Sequence, residues 1–259
     1  MTSPLNKEMS MMGSIFLKIS SGKTIAYDIM EKTVSIFQEV TMKKDKIMRS
    51  CIDCASKGCD MKGGKFPDFC LTKNLDPELL DEAMSLYTDD EENHNVTIAS
   101  AEVEYENYCK MTRIEEMMEF AKKIGAGKLG IATCVGLLAE ARTAAKIFRC
   151  HGFEVVGAAC KIGAQPKTRV GISPECEAVG KNMCNPIMQA KLLNREKTDL
   201  NIVIGLCVGH DSLFYKYSDA LCTTLVTKDR VLAHNPVGAL YQAGSYYSKL
   251  MKSDTTDEK

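Results

Sequence analysis

Apolar and polar positions in the second half of the chain switch between strand-like and helix-like periods. Short apolar runs predict four strands, which are Lys128 to Cys134, Phe153 to Ala159, Asn201 to Cys207 and Leu221 to Thr227. Between them, apolar residues recur at three- and four-residue spacing, which is typical of amphipathic helices. This alternation of strands and helices predicts right-handed crossovers and a parallel sheet.

We therefore predict an α/β domain over residues 111–250, with a small, doubly wound, Rossmann-like parallel sheet and helices on both faces. Two or three helices precede it. Asp76 to Glu78 predicts a capped helix start with proline in the first turn, and Ile98 to Lys110 and Ile114 to Ile124 have helical spacing of apolar residues. Residues 76–110 are predicted to form a helical connector.

The first part of the chain follows a different pattern. Residues 48–75 are predicted to form a cysteine-rich loop module, because glycines and a proline interrupt any regular element. Residues 1–47 lack a clean period, and two interpretations stay open: an extension before a native start at Met48, or an ordered helix near Ile29 to Val40. The polar tail, 251–259, is predicted to be disordered.

Composition and charge narrow the class of protein. The 259 residues are 45% hydrophobic and 26% charged, as in soluble globular proteins. With 33 basic against 34 acidic residues, there is no broad positive field for nucleic acid or an anionic membrane. No apolar run reaches the length of a membrane span and no signal peptide is evident, so we expect a cytoplasmic protein.

Twelve cysteines exceed what packing alone requires. Four of them form the first set, Cys51, Cys54, Cys59 and Cys70, with the pattern C-x2-C-x4-C-x10-C. Their thiolates suit zinc or an iron-sulfur cluster, and a metal would order a segment that has too little apolar surface to fold unaided. The single closely spaced pair favours iron-sulfur over zinc, and four unligated surface thiols are the alternative.

A second set of cysteines is predicted where the strands end. Cys134 and Cys207 are the last residues of two predicted strands. Cys160 follows another predicted strand, and Cys184 precedes the helix that starts at Pro186. Because the carboxyl ends of parallel strands line the ligand crevice, these sulfurs are expected to converge. Three interpretations stay open, namely a shared metal or cluster site, a redox or nucleophilic cysteine pair, and inert packing.

Polar side chains at the same edge are candidates for binding or protonating a substrate. The strongest candidates are His210, Asp211 and Lys161, and the residues Lys228 to Arg230 and His234 follow the fourth strand. Each also has a plainer interpretation. Asp211 can cap a helix, His210 can be a satisfied loop histidine, and Lys228 to Arg230 can form a solvated turn.

Residues Cys51 to Tyr241 resemble an uncharacterised bacterial and archaeal family known only as metal-binding, with iron-sulfur or zinc proposed and members common in anaerobes. The resemblance is carried by the first cysteine set and by three segments, Met183 to Asn194, Gly205 to Phe214 and Lys228 to Val237. It implies a cytoplasmic metal-binding protein with both cysteine sets at motif positions, and it implies no reaction.

The leading hypothesis is an iron-sulfur protein with one or two clusters of the 4Fe-4S type and redox or sulfur-transfer chemistry at the second set. A zinc-binding non-enzymatic module or metal carrier is one alternative. A thiol oxidoreductase that uses Cys134 or Cys207 is another. We expect a small-molecule substrate and an electron-transfer partner, allow for a homodimer, and expect neither nucleic acid nor a membrane.

Overall fold

The computed structural model describes residues 49–252. The predicted N-terminal extension, its alternative helix and most of the predicted tail lie outside these residues. The chain divides into two compact units, Met1–Asp81 and Glu82–Lys259. None of the helices in the described part is both long and apolar enough to cross a membrane.

The described part of the first unit is a loop built around two short 3-10 turns, Cys51–Asp53 and Gly58–Asp60. Its two backbone segments cross at Gly58 and Gly64, where a Cβ on either residue would collide with backbone atoms of the other segment. Only glycine allows so close a crossing. Helix α1 (Pro77–Thr88) then begins after Asp76, whose side chain accepts a hydrogen bond of 3.0 Å from the Glu78 N–H.

The second unit carries the sheet. Its further elements are α2 (Glu91–Asn107), α3 (Arg113–Lys123), β1 (Lys128–Thr133), α4 (Leu138–Cys150), β2 (Glu154–Ala159), α5 (Pro186–Arg195), β3 (Leu200–Ile204), α6 (His210–Tyr217), β4 (Leu221–Val226) and α7 (Val237–Tyr241). The four strands lie in the order β2-β1-β3-β4, and all neighbours are parallel. The predicted parallel α/β sheet is confirmed.

Alternate residues of the central strands pack against different helices. Leu129 and Ile202 contribute to a core on one face, with apolar side chains of α3 and α4. Ala132 and Val203 contribute to a second core, with side chains of α5 and α6, including the fully buried Phe214. Burying both faces removes the apolar strand residues from water and fixes where each strand ends.

Candidate functional site

The ends of β1 and β2 bring two cysteines side by side. The sheet hydrogen bonding continues past the strands, since the Cys134 N–H donates to the Ile204 carbonyl at 3.2 Å and the Cys160 N–H to the Thr133 carbonyl at 2.8 Å. The Asn185 N–H donates to the Cys160 carbonyl at 2.7 Å, which sets Cys184 beside Cys160. We call Cys134, Cys160, Cys184 and Cys207 the cysteine edge.

The short turn Val135–Leu137, which leads into α4, directs backbone N–H groups at two of these sulfurs. The Val135 N–H donates to the Cys160 sulfur and the Gly136 N–H to the Cys134 sulfur, each at 3.4 Å. N–H groups at the start of a helix carry partial positive charge, so this turn favours electron-rich sulfur.

Cys184 has the most polar surroundings of this group. Hydrogen bonds with Cys160, His210 and Lys161 lower the pKa of its thiol to about 3, against the opposing effect of burial. The same hydrogen bond to Cys184, together with burial, raises the pKa of Cys160 above its usual range. One thiol of the pair is therefore held as a thiolate and the other as its protonated neighbour.

His210 and Lys161 are the cationic partners of this thiolate. The hydrogen bond with Cys184 raises the pKa of His210, which favours an imidazolium beside the sulfur. The ammonium of Lys161 also donates to the Asn182 carbonyl at 2.6 Å, which fixes its position. Two of the three predicted catalytic residues, His210 and Lys161, thus lie near enough to Cys184 to lower the pKa of its thiol.

The third, Asp211, lies in the first turn of α6, where its carboxylate accepts a hydrogen bond of 2.8 Å from the Ser212 N–H. Its negative charge adds a smaller contribution to the raised pKa of His210. Asp211 therefore acts locally, as a hydrogen-bond acceptor in the first turn of α6.

Cys207 contacts a different partner. Its sulfur accepts a hydrogen bond of 2.9 Å from the Arg230 guanidinium, in the loop that follows β4. The carboxylate of Asp229 shapes this loop, because it accepts from the N–H groups of Val231 at 2.9 Å and Leu232 at 2.8 Å. The fourth cysteine is therefore tied to a cation from the next strand's loop.

Gln189 is a site residue that the sequence reasoning missed. It is fully buried on α5, and its amide nitrogen donates to the carbonyls of Thr133 at 3.1 Å and Ala158 at 2.7 Å. These carbonyls lie just before Cys134 and Cys160, so Gln189 ties together the strand ends that carry them. A glutamine on the apolar face of a predicted helix is the signal that marks it.

The first cysteine set lies in the first unit and has another kind of environment. Cys51, Cys54, Cys59 and Cys70 all line one cavity of about 350 Å³. A hydrogen bond of 3.4 Å between the Cys54 sulfur and the Ser56 hydroxyl, together with hydrogen bonds from nearby backbone N–H groups, lowers the pKa of Cys54. Four thiols around one cavity match zinc or an iron-sulfur cluster in number and chemistry.

Neither cysteine set is already arranged as a coordination sphere. Within residues 49–252, no group of three or more Cys, His, Asp or Glu side chains is placed so as to hold a metal ion. At the cysteine edge the sulfurs are instead engaged with one another, with backbone N–H groups and with cations. The cluster expected at that edge stays a prediction.

A larger cavity, of about 790 Å³, lies at the opposite edge of the sheet, where the strands begin. Its lining is acidic, with Asp90, Glu91, Glu92, Asp199 and Asp219, and contains no cysteine or histidine. The carboxylate of Asp199 is already occupied by the N–H groups of Gly127 and Lys128, at 2.8 and 2.7 Å. Since the nucleophilic groups lie at the other end of the strands, we assign the candidate site to the cysteine edge.

Comparison with known proteins places the chain in a family. Residues 70–225, more than half of the chain, match the family model described as "Protein of unknown function (DUF1847)". The chain belongs to the DUF1847 family. The match to DUF1847 includes the whole cysteine edge and begins at Cys70, the last cysteine of the first set.

A relative from Methanocaldococcus jannaschii, named "Uncharacterized protein MJ0455", is 47% identical over 159 residues. These residues make up 61% of this chain and 81% of the relative. The expected membership of an uncharacterised family is confirmed, and metal binding stays a prediction.

Proposed function

We propose that the protein is a thiol oxidoreductase in which Cys184 is the attacking thiolate and Cys160 is the second thiol. The proposal is carried by the grouping of Cys160, His210 and Lys161 around Cys184, which lowers the pKa of the Cys184 thiol. The hydrogen bond of 2.7 Å from the Asn185 N–H to the Cys160 carbonyl holds Cys184 next to Cys160. A thiolate beside two cations and a protonated thiol is the arrangement that thiol–disulfide exchange requires.

The first step is an attack of the Cys184 thiolate on one sulfur of a substrate disulfide. A bond forms between Cys184 and that sulfur, the substrate S–S bond breaks, and the leaving thiolate takes a proton from the His210 imidazolium. The product is a mixed disulfide between Cys184 and half of the substrate, and neutral His210 remains beside it.

The second step uses Cys160. Its thiol gives its proton to His210 and attacks the Cys184 sulfur, which releases the remaining substrate half as a thiolate that is protonated in turn by His210. A Cys160–Cys184 disulfide is left, and two electrons have passed from the cysteine pair to the substrate. A dithiol reductant then restores the pair by the same exchange in reverse.

Alkylation of the full-length reduced protein tests this assignment. We expect iodoacetamide at about pH 5 to modify Cys184 at least about tenfold faster than the exposed Cys150, because only an ionised thiol reacts at this pH. Peptide mapping by mass spectrometry gives the site. In a separate sample of reduced protein that has not been alkylated, mild oxidation with a small disulfide should join Cys160 to Cys184. Slow alkylation of Cys184 or a disulfide between other cysteines would overturn the proposal.

A separate observation favours a second function for the first unit. Its four cysteines line one cavity inside a loop that has few apolar side chains to hold it. We propose that Cys51, Cys54, Cys59 and Cys70 bind a zinc ion or an iron-sulfur cluster, which would stabilise the loop and, if it is a cluster, carry single electrons.

Metal and acid-labile sulfide analysis of oxygen-free, full-length protein tests this second proposal. Iron and sulfide in equal amounts support a cluster, and about one zinc per chain supports a zinc site. Protein without metal after growth in metal-supplemented medium would overturn it.

A further inference from the structure

We infer that the cysteine edge selects anionic disulfides, such as small organic disulfides that carry carboxylate groups. This inference rests on the proposed thiol exchange and adds the class of substrate. It is carried by Lys228 and Arg230, two fixed cations of the loop after β4 that the exchange itself does not use.

Lys228 extends from this loop over the turn that precedes α4. A Cβ placed on Gly136 would lie 4.0 Å from the Lys228 ammonium and 3.8 Å from the Cys134 sulfur. A Cβ placed on Gly205 would lie 3.8 Å from Cε of the same lysine. The Cys134 sulfur and the Lys228 ammonium therefore both lie close to Gly136, which has no side chain to separate them.

Arg230 adds a second cation from the same loop. One nitrogen of its guanidinium donates to the Cys207 sulfur at 2.9 Å, and the side chain is otherwise exposed. A guanidinium has several N–H donors in one plane, so donors remain for the two oxygens of a carboxylate.

The loop that carries these cations is held in one shape. Ala233 and His234 have φ angles of 50° and 64°, a conformation that residues other than glycine rarely adopt. Two hydrogen bonds offset this strain, from the His234 N–H to the Asp229 carbonyl at 2.8 Å and from the Asp229 N–H to Nδ1 of His234 at 3.1 Å. The backbone that carries Lys228 and Arg230 is thereby held in one conformation before a substrate arrives.

The acidic side chains nearest to these cations in sequence make other hydrogen bonds. Asp211 and Asp229 each accept from backbone N–H groups of their own segment. In the part of the chain that the structure describes, no ion pair includes Lys161, His210, Lys228 or Arg230. Because the whole chain carries a formal charge of only -1, this excess of positive charge is local.

Three disulfide probes of different charge test the inference. They are dithiobis(nitrobenzoate), which is anionic, dithiodipyridine, which is neutral, and cystamine, which is cationic. The rate constant for reaction at Cys184 is measured at about pH 5, where thiolate reactivity is confined to low-pKa thiols, after subtraction of the Cys184→Ser background. Mass spectrometry confirms the mixed disulfide at Cys184.

The informative quantity is the rate constant with the anionic probe divided by that with the neutral probe. We expect Lys228→Gln and Arg230→Gln each to lower this ratio about threefold to tenfold, and high salt to lower it in the wild type. The cationic probe should gain in rate in both variants. Lys191→Gln, which removes an exposed lysine of α5, is the matched control and should leave the ratio unchanged.

The neutral probe separates the two proposals and also reports whether each variant is folded. If Cys184 reacts with dithiodipyridine but the ratio is the same in wild type, Lys228→Gln and Arg230→Gln, the anion selectivity is overturned and the thiol chemistry stands. If Cys184 reacts with none of the three probes, the proposed function fails and this inference fails with it.

Discussion

The two sets of four cysteines are equal in number and different in surroundings. The first set lies close together in sequence and lines one cavity, with Cys51 and Cys59 exposed. The second set is collected from distant strand ends and is contacted by cationic side chains. We therefore propose a metal-ligand role for the first set and a thiolate role for the second, on the basis of the different side chains that surround them.

The two cysteine sets also differ in the structure that supports them. The first set rests on a loop that crosses itself at Gly58 and Gly64 and has little apolar core. The second set rests on a parallel sheet with packed cores on both faces. A bound metal would thus matter for the folding of the first unit, whereas the cysteine edge is positioned by the sheet and by the helices and loops packed against it.

The largest expected effects are those of Cys184→Ser and Cys54→Ser, each of which should change the property of one cysteine set and leave that of the other unchanged. Cys184→Ser should abolish thiol alkylation at low pH, a loss of about 100-fold, because the serine hydroxyl does not ionise in this range. The metal content of the first unit should stay unchanged. Cys54→Ser should do the converse, since it removes one of the four thiols around the cavity.

Alkylation rates and metal analysis on both full-length variants measure this pair of effects. Cys150→Ser is the matched control, because it removes an exposed thiol that belongs to neither set. Loss of metal in Cys184→Ser, or loss of low-pH alkylation in Cys54→Ser, would show that the two sets do not act separately.

A smaller effect is expected from His210→Asn, which replaces the imidazolium beside the Cys184 sulfur with a shorter, neutral amide. Donors to a thiolate hold its pKa down, so the loss should raise the pKa of Cys184 from about 3. Alkylation at about pH 5 should slow by about tenfold and recover at about pH 9, where the thiol ionises without help.

The measurement is the pH–rate profile of Cys184 alkylation. His151→Asn, a change of an exposed histidine after α4, should leave the profile in place. A profile of His210→Asn that coincides with the wild type would mean that the imidazole does not stabilise the thiolate.

The sequence predicts a parallel α/β sheet and the edge at which the second set lies, because strand ends and helix starts leave clear signals, whereas the strand order β2-β1-β3-β4 comes from the structure. It predicts that Cys134, Cys160 and Cys184 lie at one edge, since β1, β2 and the start of α5 are each recognisable. It does not predict which cysteine is the thiolate. That depends on whether His210 and Lys161 point toward Cys184, and side-chain direction in a loop is set by tertiary packing.

For Cys207, too, the sequence predicts the position of the residue but not which side chain contacts its sulfur. Its place shortly after β3 is predictable, whereas its contact with Arg230 depends on the shape of the loop after β4. Gly136 is a further case, because a glycine near a helix start has many explanations. Only the structure shows that the Lys228 ammonium and the Cys134 sulfur lie next to Gly136, where a side chain would contact both.

The smallest expected effect is that of Gln189→Leu on the free energy of unfolding, which tests how the strand ends before Cys134 and Cys160 are held together. Gln189→Leu removes two buried hydrogen bonds, to the carbonyls of Thr133 and Ala158. It also removes Oε1, which is buried and lacks a hydrogen-bond partner among the described residues. Relief of that unsatisfied acceptor offsets part of the loss, so we expect the free energy of unfolding to fall by about 1–2 kcal/mol.

Urea denaturation measures this loss, with Lys191→Gln on the exposed side of the same helix as the control. Because the lost hydrogen bonds join the strand ends before Cys134 and Cys160, the yield of the Cys160–Cys184 disulfide under mild oxidation should fall as well. A variant that loses stability while this yield stays at the wild-type level would make Gln189 a core residue with no part in positioning the thiols. A lower yield at nearly unchanged stability would instead separate its positioning role from its packing.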